Sequence, residues 1–134
     1  MSNNFDFAKQ FTPDIAVMLN FADDYLHLCK DPHGCMLKVG SATEYLVVSY
    51  IAVKQLLVSS FEPKPTFREC IELLEKIGSC PKEIIQAIKY IWNRRNRASH
   101  EVWNKEYDAN ECLKQAHKIL SWYVTNFETV TLFG

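Results

Sequence analysis

Residues 37–57 read LKVGSATEYLVVSYIAVKQLL, and their pattern of apolar residues indicates the architecture of the domain. Apolar side chains fall on nearly every side of a helix drawn through it, not on one stripe. A helix of that kind belongs at the centre of a helical bundle. Gly40 and Ala42 lie inside it and indicate a close approach by a neighbouring helix. The apolar positions are Leu37, Val39, Ala42, Leu46, Val47, Val48, Ile51, Val53, Leu56 and Leu57, so the helix extends to about Val58.

A first helix precedes this central one. Thr12 and Pro13 suit the N-cap and the first helical position, and Asp14 lies beside the positive end of the helix dipole. The turn at Asp31-Pro32 ends this helix. Asp31 and Pro32 then suit the N-cap and the first helical position of the central helix. The apolar positions of the first helix recur at the helical period: Ile15, Met18, Ala22, Tyr25, Leu26 and Cys29.

The segment after the central helix contains two prolines, Pro63 and Pro65, which predict a loop. Thr66 and Glu69 then have the spacing of a capping box, in which each side chain bonds the other residue's backbone N–H. Gly78 is a suitable C-terminal residue for the short third helix that follows.

Two further helices complete the predicted bundle. Pro81 starts a fourth helix, and Asp108 with Glu111 marks the start of a fifth. The tail, residues 129–134, is β-prone and is interpreted as a loosely docked terminus or the start of a missing region. Residues 1–134 therefore form a single all-α domain of about five helices in a mostly antiparallel bundle. Its apolar stripes are Ile84, Ile85, Ile88, Ile91 and Trp92 on the fourth helix, and Leu113, Ala116, Ile119, Leu120 and Tyr123 on the fifth.

Composition narrows the classes of function. The chain has 134 residues, with 48% hydrophobic and 23% charged residues, which is ordinary for a soluble globular domain. Its formal net charge of −1 excludes a global field that would attract nucleic acid or membrane, so any such binding needs a local patch. The N-terminus lacks a secretory pattern, and the apolar run from Leu46 to Leu57 is too short to span a bilayer. We therefore expect a cytoplasmic protein without membrane association.

The five cysteines form no C-x-x-C pair and indicate small buried apolar side chains in a reducing compartment. Cys29, His33 and Cys35 lack the paired close spacing of a zinc site and straddle a turn, so we predict no metal site and no cofactor.

A chemically distinctive segment, Arg-Asn-Arg-Ala-Ser-His, occupies residues 95–100 at the end of the fourth helix. The guanidinium of Arg95 offers a planar fork of donors for phosphate oxygens. The imidazole of His100 can both accept and donate a proton near neutral pH. Asn96 precedes His100 by one helical turn. These three residues are the candidate catalytic group for chemistry on a phosphodiester.

Helical projection gives Arg95 a second interpretation. At about 100° per residue, Arg95 falls in the middle of the apolar stripe of the fourth helix, where a guanidinium is costly unless it is paired or opens into a cleft. Glu44 likewise lies among apolar side chains in the projection of the central helix. A buried Glu44–Arg95 pair that fixes helix register is therefore the structural alternative, with His100 favoured by the helix dipole.

Residues 92–100 resemble the signature of HEPN domains, an arginine, a polar residue and a histidine at the end of a bundle helix. Arg95, Asn96 and His100 fill its three positions. The surrounding frame is similar to the N-terminal helical domain of type I restriction-enzyme motor subunits, over about residues 3–127. The matching segments are residues 2–7 with Phe11 and Pro13, the Asp31-Pro32 turn, and residues 116–123.

The resemblance implies a module of a prokaryotic defence or restriction system. Active HEPN proteins are metal-independent ribonucleases, usually dimers with the two motifs facing each other, and some act in toxin–antitoxin or antiviral systems. It therefore implies a metal-independent endoribonuclease and a homodimer, and it allows for a partner domain or an antitoxin. Val102 stands where one toxin subtype has a tyrosine, so modification of that tyrosine by an antitoxin is not expected.

A basic and aromatic lip for single-stranded RNA is the predicted substrate-binding surface. The alternative is a solvated helix end, and at the level of function a non-catalytic domain of a larger restriction or helicase protein, for docking or engaging nucleic acid. The lip residues are Lys89, Arg94 and Arg97, interleaved with Trp92 and Trp103. The projection places Arg94 and Arg97 towards water.

Overall fold

A computed structural model describes the backbone of residues 2–53 and 66–133 and the side chains of residues 2–52 and 66–126. Within these ranges the chain forms five α-helices and one short 3₁₀-helix, with no strand, which confirms the predicted all-α bundle. The 3₁₀-helix is Asp6–Ala8, and the α-helices are α1 Pro13–His27, α2 Pro32–Val53, α3 Phe67–Ile77, α4 Lys82–His100 and α5 Glu106–Phe133.

Helix α2 lies at the centre of the bundle, since it packs against α1, α3, α4 and α5. Most of its apolar side chains are buried, as its all-round apolar pattern predicts. One stripe nevertheless faces outward, where Ser41, Tyr45 and Ala52 are exposed. The largest side chains buried in the surrounding core are Ile15, Met36, Ile51, Leu74, Ile88, Ile91, Ile119 and Leu120.

The predicted helix boundaries are confirmed where a cap defines them. Asp31 Oδ1 accepts a hydrogen bond from the Gly34 backbone N–H at 2.9 Å and starts α2. The Thr66–Glu69 capping box is present, with both reciprocal bonds formed. Gly78 ends α3 with a φ of 74°, a left-handed conformation that costs glycine little.

The predicted start and end of α5 are wrong. The helix begins at Glu106, ahead of Asp108, whose carboxylate accepts a hydrogen bond from the Trp103 indole N–H at 2.9 Å. The backbone of residues 129–133 continues α5 instead of extending, because local β propensity is weak against an established helix. Pro63, Pro65 and the predicted end of α2 near Val58 lie outside the described residues.

The N-terminal segment is tied to α1 by polar side chains. Asn20, which is buried, accepts a hydrogen bond from the Phe5 backbone N–H at 3.0 Å and donates one to Asp6 Oδ1 at 2.9 Å. Phe5 is buried as a result. The segment thus closes one end of the core between α1 and α5.

All five cysteines are free thiols. Cys35, Cys70, Cys80 and Cys112 are buried as expected, but Cys29 is exposed, because it follows the end of α1. Burial raises the pKa of the Cys80 thiol to about 11 and that of Cys112 to about 12, so both stay protonated at neutral pH.

Candidate functional site

The candidate catalytic residues lie in the last two turns of α4, which ends at His100. The Glu101 backbone N–H bonds to the Arg97 carbonyl at 3.1 Å, and Glu101 itself is extended, so the chain leaves the helix after His100. Arg97 and His100 lie in the last turn, where the helix dipole favours a positive charge.

The aliphatic stem of Arg95 crosses α2 at Gly40. A Cβ atom at Gly40 would overlap Arg95 Cγ and lie 2.6 Å from Arg95 Cβ. The predicted close approach at Gly40 is therefore made by this arginine stem. It carries the guanidinium past the backbone of α2 to Glu44, with 3.4 Å between Nη2 and Oε2.

Arg95 and Glu44 form the ion pair of the structural alternative, but the pair is only partly buried. Their side chains are 27% and 33% exposed. The two residues lie at one wall of a cleft of about 340 Å³ on the outer face of α2. A ligand that enters this cleft therefore meets Arg95 and Glu44. The other lining residues are Ser41, Tyr45, Val48, Ser49 and Ala52.

Asn96 and His100 occupy a different flank of α4. Asn96 is half-buried, His100 is exposed, and their spacing of four residues places them on one face. The His100 imidazole makes no hydrogen bond or ion pair with any residue whose side chain is described. The directions of Arg95 and His100 diverge by about 140° around the helix, with a rise of about 7.5 Å. One chain therefore does not converge these two groups on a single point.

Arg94 is the neighbour that departs most from its predicted position. It was expected to face water, but its side chain is only 31% exposed. Its guanidinium lies 4.3 Å from the centroid of the Tyr90 ring, and its Nε lies 3.6 Å from Asp108 Oδ2. Because Asp108 belongs to α5, this arginine links α4 to α5.

A basic and aromatic lip is present around Trp103. The Arg97 guanidinium lies 3.9 Å and the Lys105 ammonium 5.0 Å from the centroid of its indole ring. The Trp103 backbone N–H donates to His33 Nδ1 at 3.2 Å, which anchors the segment between α4 and α5 to the start of α2. Arg97 is exposed and also bonds Glu101 at 3.1 Å.

Lys105 and His33, two neighbours of Trp103, are not predicted from the sequence. Lys105 stands two residues beyond the tryptophan, a spacing that could have indicated it. The contact with His33 joins residues 70 positions apart, and no local pattern predicts it.

The remaining lip residues lie elsewhere on α4. Lys89 is exposed and its Nζ lies 3.3 Å from Glu75 Oε1 of α3. Trp92 is half-buried and packs against the core. Trp103 is likewise half-buried against the core, so the predicted substrate-binding set divides into the exposed Arg97 beside it and residues that connect α4 to its neighbours.

Among the described residues, no three His, Cys, Asp or Glu side chains are grouped so as to hold a metal ion. Cys29, His33 and Cys35 differ in environment, since Cys29 is exposed, Cys35 is buried and His33 is bonded to Trp103. No helix in the described ranges combines the length and the apolar character needed to cross a membrane.

Comparisons with known proteins returned no match among protein-family models, curated proteins or solved structures.

Proposed function

We propose that this chain is a HEPN-like module that cleaves single-stranded RNA without a metal ion, through Arg95, Asn96 and His100. The observation that carries the proposal is the incomplete pairing of the motif. Arg95 has one carboxylate partner in an open cleft, and the His100 imidazole is exposed without a partner in the described part of the chain. The donor positions of Arg95 and the ring nitrogens of His100 that no described residue occupies can bond a ligand.

The reaction begins with the ribose 2′-hydroxyl, which attacks the adjacent phosphorus atom and displaces the 5′-oxygen of the next nucleotide. This requirement restricts the substrate to RNA. His100 accepts the hydroxyl proton or protonates the leaving oxygen. Arg95 neutralises the charge that develops on the non-bridging oxygens. Asn96, one turn before His100, orients the imidazole or bonds a phosphate oxygen.

A second copy of the chain supplies the missing geometry. Since Arg95 and His100 diverge around α4, we propose a two-fold dimer in which both copies of residues 92–103 line one cleft. One His100 then acts as the base and the other as the acid. Light scattering should give a dimer at micromolar concentration, and a monomer that retains full activity would contradict this arrangement.

The lip around Trp103 is proposed to hold the strand. Bases stack on aromatic faces, and nearby cations bind the phosphates. Arg97 and Lys105 are exposed beside the half-buried Trp103 ring, and Arg97 covers part of that ring, so a strand at this surface meets the two cations first. We further propose a cytoplasmic prokaryotic defence or restriction setting, with a partner domain or an antitoxin as regulator, on the resemblance alone.

The assay is cleavage of labelled single-stranded RNA by the purified chain in EDTA. We expect His100→Ala to lower the rate by about 10²–10⁴, the range for a general acid or base. Arg95→Gln should lower it by about 10²–10³. Lys118→Ala is a control, since Lys118 is exposed on α5 and should leave the rate unchanged. Equal residual cleavage by wild type and His100→Ala would reject the proposal.

A specific surface favours the alternative function, a non-catalytic docking domain. Helix α1 and the residue that follows it expose four large apolar side chains at helical spacing, Val17, Phe21, Tyr25 and Leu28, between 37% and 66% exposed. An exposed apolar stripe of this kind is typical of a contact with another protein. If His100→Ala leaves cleavage unchanged, this function is the better explanation of the chain.

A further inference from the structure

A second cleft lies away from the end of α4, between the last turn of α1 and the middle of α5, with the N-terminal segment at its side. Its volume is about 290 Å³. Phe5 and Leu113, both buried, form an apolar floor, and His27, Lys114 and His117 supply basic groups. We propose that this cleft binds a small oxyanion, a phosphate or carboxylate head group on an apolar or aromatic body.

Asp23 fixes the first of the basic groups. Its carboxylate is 7% exposed, and its Oδ1 lies 2.7 Å from His27 Nδ1. This contact occupies Nδ1 and leaves Nε2 as the ring atom that can bind a ligand. The ring belongs to the last turn of α1, so its orientation is set before a ligand arrives.

The charge of Asp23 is already compensated by hydrogen-bond donors. Its Oδ2 accepts from the Ser2 hydroxyl and from the Asn4 amide, in addition to the contact of Oδ1 with His27. Asp23 is the only carboxylate among the described residues that line this cleft. Asp24, its neighbour, accepts from the Ser2 backbone N–H at 2.7 Å and lines an adjoining cleft that shares Asn4, Asp23 and His27 with this one. Among the described residues that line the proposed site itself, an incoming anion therefore meets no carboxylate without a partner.

Helix α5 supplies the other two basic groups. Lys114 and His117 are three residues apart and share one face of the helix. The His117 ring packs against Phe7 and Phe5, with centroids 4.9 and 5.9 Å away, and these contacts restrict its orientation. Lys114 is exposed and forms no ion pair with any residue whose side chain is described. The cleft thus holds a cation without a counterion.

The combination of groups defines the ligand. An oxyanion can accept hydrogen bonds from Lys114 Nζ and from the imidazoles of His27 and His117, and charge-assisted bonds of this type are the stronger ones. Phe5 and Leu113 favour a ligand with an apolar or aromatic body, because contact with these side chains removes its apolar surface from water. The volume lies near the lower end of known ligand pockets, so a single ring with one head group fits better than a polymer.

The test is a titration followed through the imidazole resonances by NMR, with phenyl phosphate, benzoate and inorganic phosphate as probes. We expect saturable shifts of His27 and His117 with a dissociation constant below about 10 mM for at least one aromatic probe. Lys114→Gln should weaken binding about tenfold or more. Lys76→Gln is the control, since it makes the same charge change on α3, which packs only against α2 and α4 among the described helices.

Tighter binding of phenyl phosphate assigns the site to phosphate esters, and tighter binding of benzoate assigns it to carboxylates; either supports the proposal. Non-saturable shifts with every probe would overturn it, as would equal weakening by Lys114→Gln and Lys76→Gln. Lys114→Gln should keep the wild-type melting temperature, because Lys114 is exposed. RNA cleavage should also be unchanged in this variant, so the outcome is independent of the function proposed for Arg95 and His100.

Discussion

Two carboxylates of this molecule, Asp23 and Glu44, each meet a basic side chain, and their surroundings differ. Asp23 is 7% exposed at its side chain and is held by donors from Ser2, Asn4 and His27. Glu44 is 33% exposed and meets Arg95 at 3.4 Å. The first carboxylate is a fixed part of the fold. The second belongs to a partly exposed pair that lines a cleft, which is where the proposed function places a ligand.

The largest expected effect on stability comes from breaking the fixed carboxylate. Asp23→Ala leaves three donors without their acceptor, and we expect the free energy of unfolding to fall by about 2–3 kcal/mol. Asp24→Ala is the matched control. Asp24 is half-buried and accepts one backbone bond, so it should cost less than about 1 kcal/mol. Chemical denaturation measures both, and equal losses would contradict the distinct role given to Asp23.

An intermediate effect is expected where the stem of Arg95 crosses α2. Gly40→Ala introduces a Cβ that overlaps the Arg95 side chain. Overpacking costs about 1–3 kcal/mol, and the better helix propensity of alanine returns about 1 kcal/mol. We expect a net loss of about 0–2 kcal/mol.

The double variant Gly40→Ala with Arg95→Ala tests the cause of that loss. Removing the arginine stem frees the space that the new methyl group needs, so the cost of Gly40→Ala should disappear in this background. An unchanged cost would show that the methyl group meets something other than Arg95.

The smallest effect is expected for the partly exposed pair. Glu44→Gln and Arg95→Gln should each lower stability by less than about 1 kcal/mol, because both side chains are partly exposed and screened by solvent. A thermal melt of each variant gives the measurement. A loss of about 3–5 kcal/mol, the scale for stranding a buried charge, would restore the structural explanation of Arg95.

Helix boundaries could be predicted from the sequence where a few adjacent residues set them. The capping box at Thr66 and Glu69 and the glycine at Gly78 each define a boundary with a few adjacent residues, and the structure has both. The start of α5 did not follow, because Asp108 bonds Trp103 instead of capping the helix. That choice depends on a tertiary contact, which residue spacing cannot reveal.

The candidate site was predicted less completely. Projection placed Arg95 and Glu44 on facing apolar stripes, and the structure brings them within 3.4 Å. The partial exposure of the two side chains depends on how whole helices pack, so the residue pattern of neither helix predicts it. Arg94 shows the same limit, since the exposure expected from its angle gave way to contacts with Tyr90 and Asp108.

The most direct measurement compares an all-ribose oligonucleotide with one that carries a single 2′-deoxynucleotide at the mapped cleavage position. The account predicts that wild-type protein in EDTA cuts the first, leaves a 2′,3′-cyclic phosphate end, and does not cut at the deoxy position, because the attacking hydroxyl is absent. His100→Ala should cut neither. Cleavage at the deoxy position by the wild-type protein, or undiminished cleavage by His100→Ala, would contradict the account.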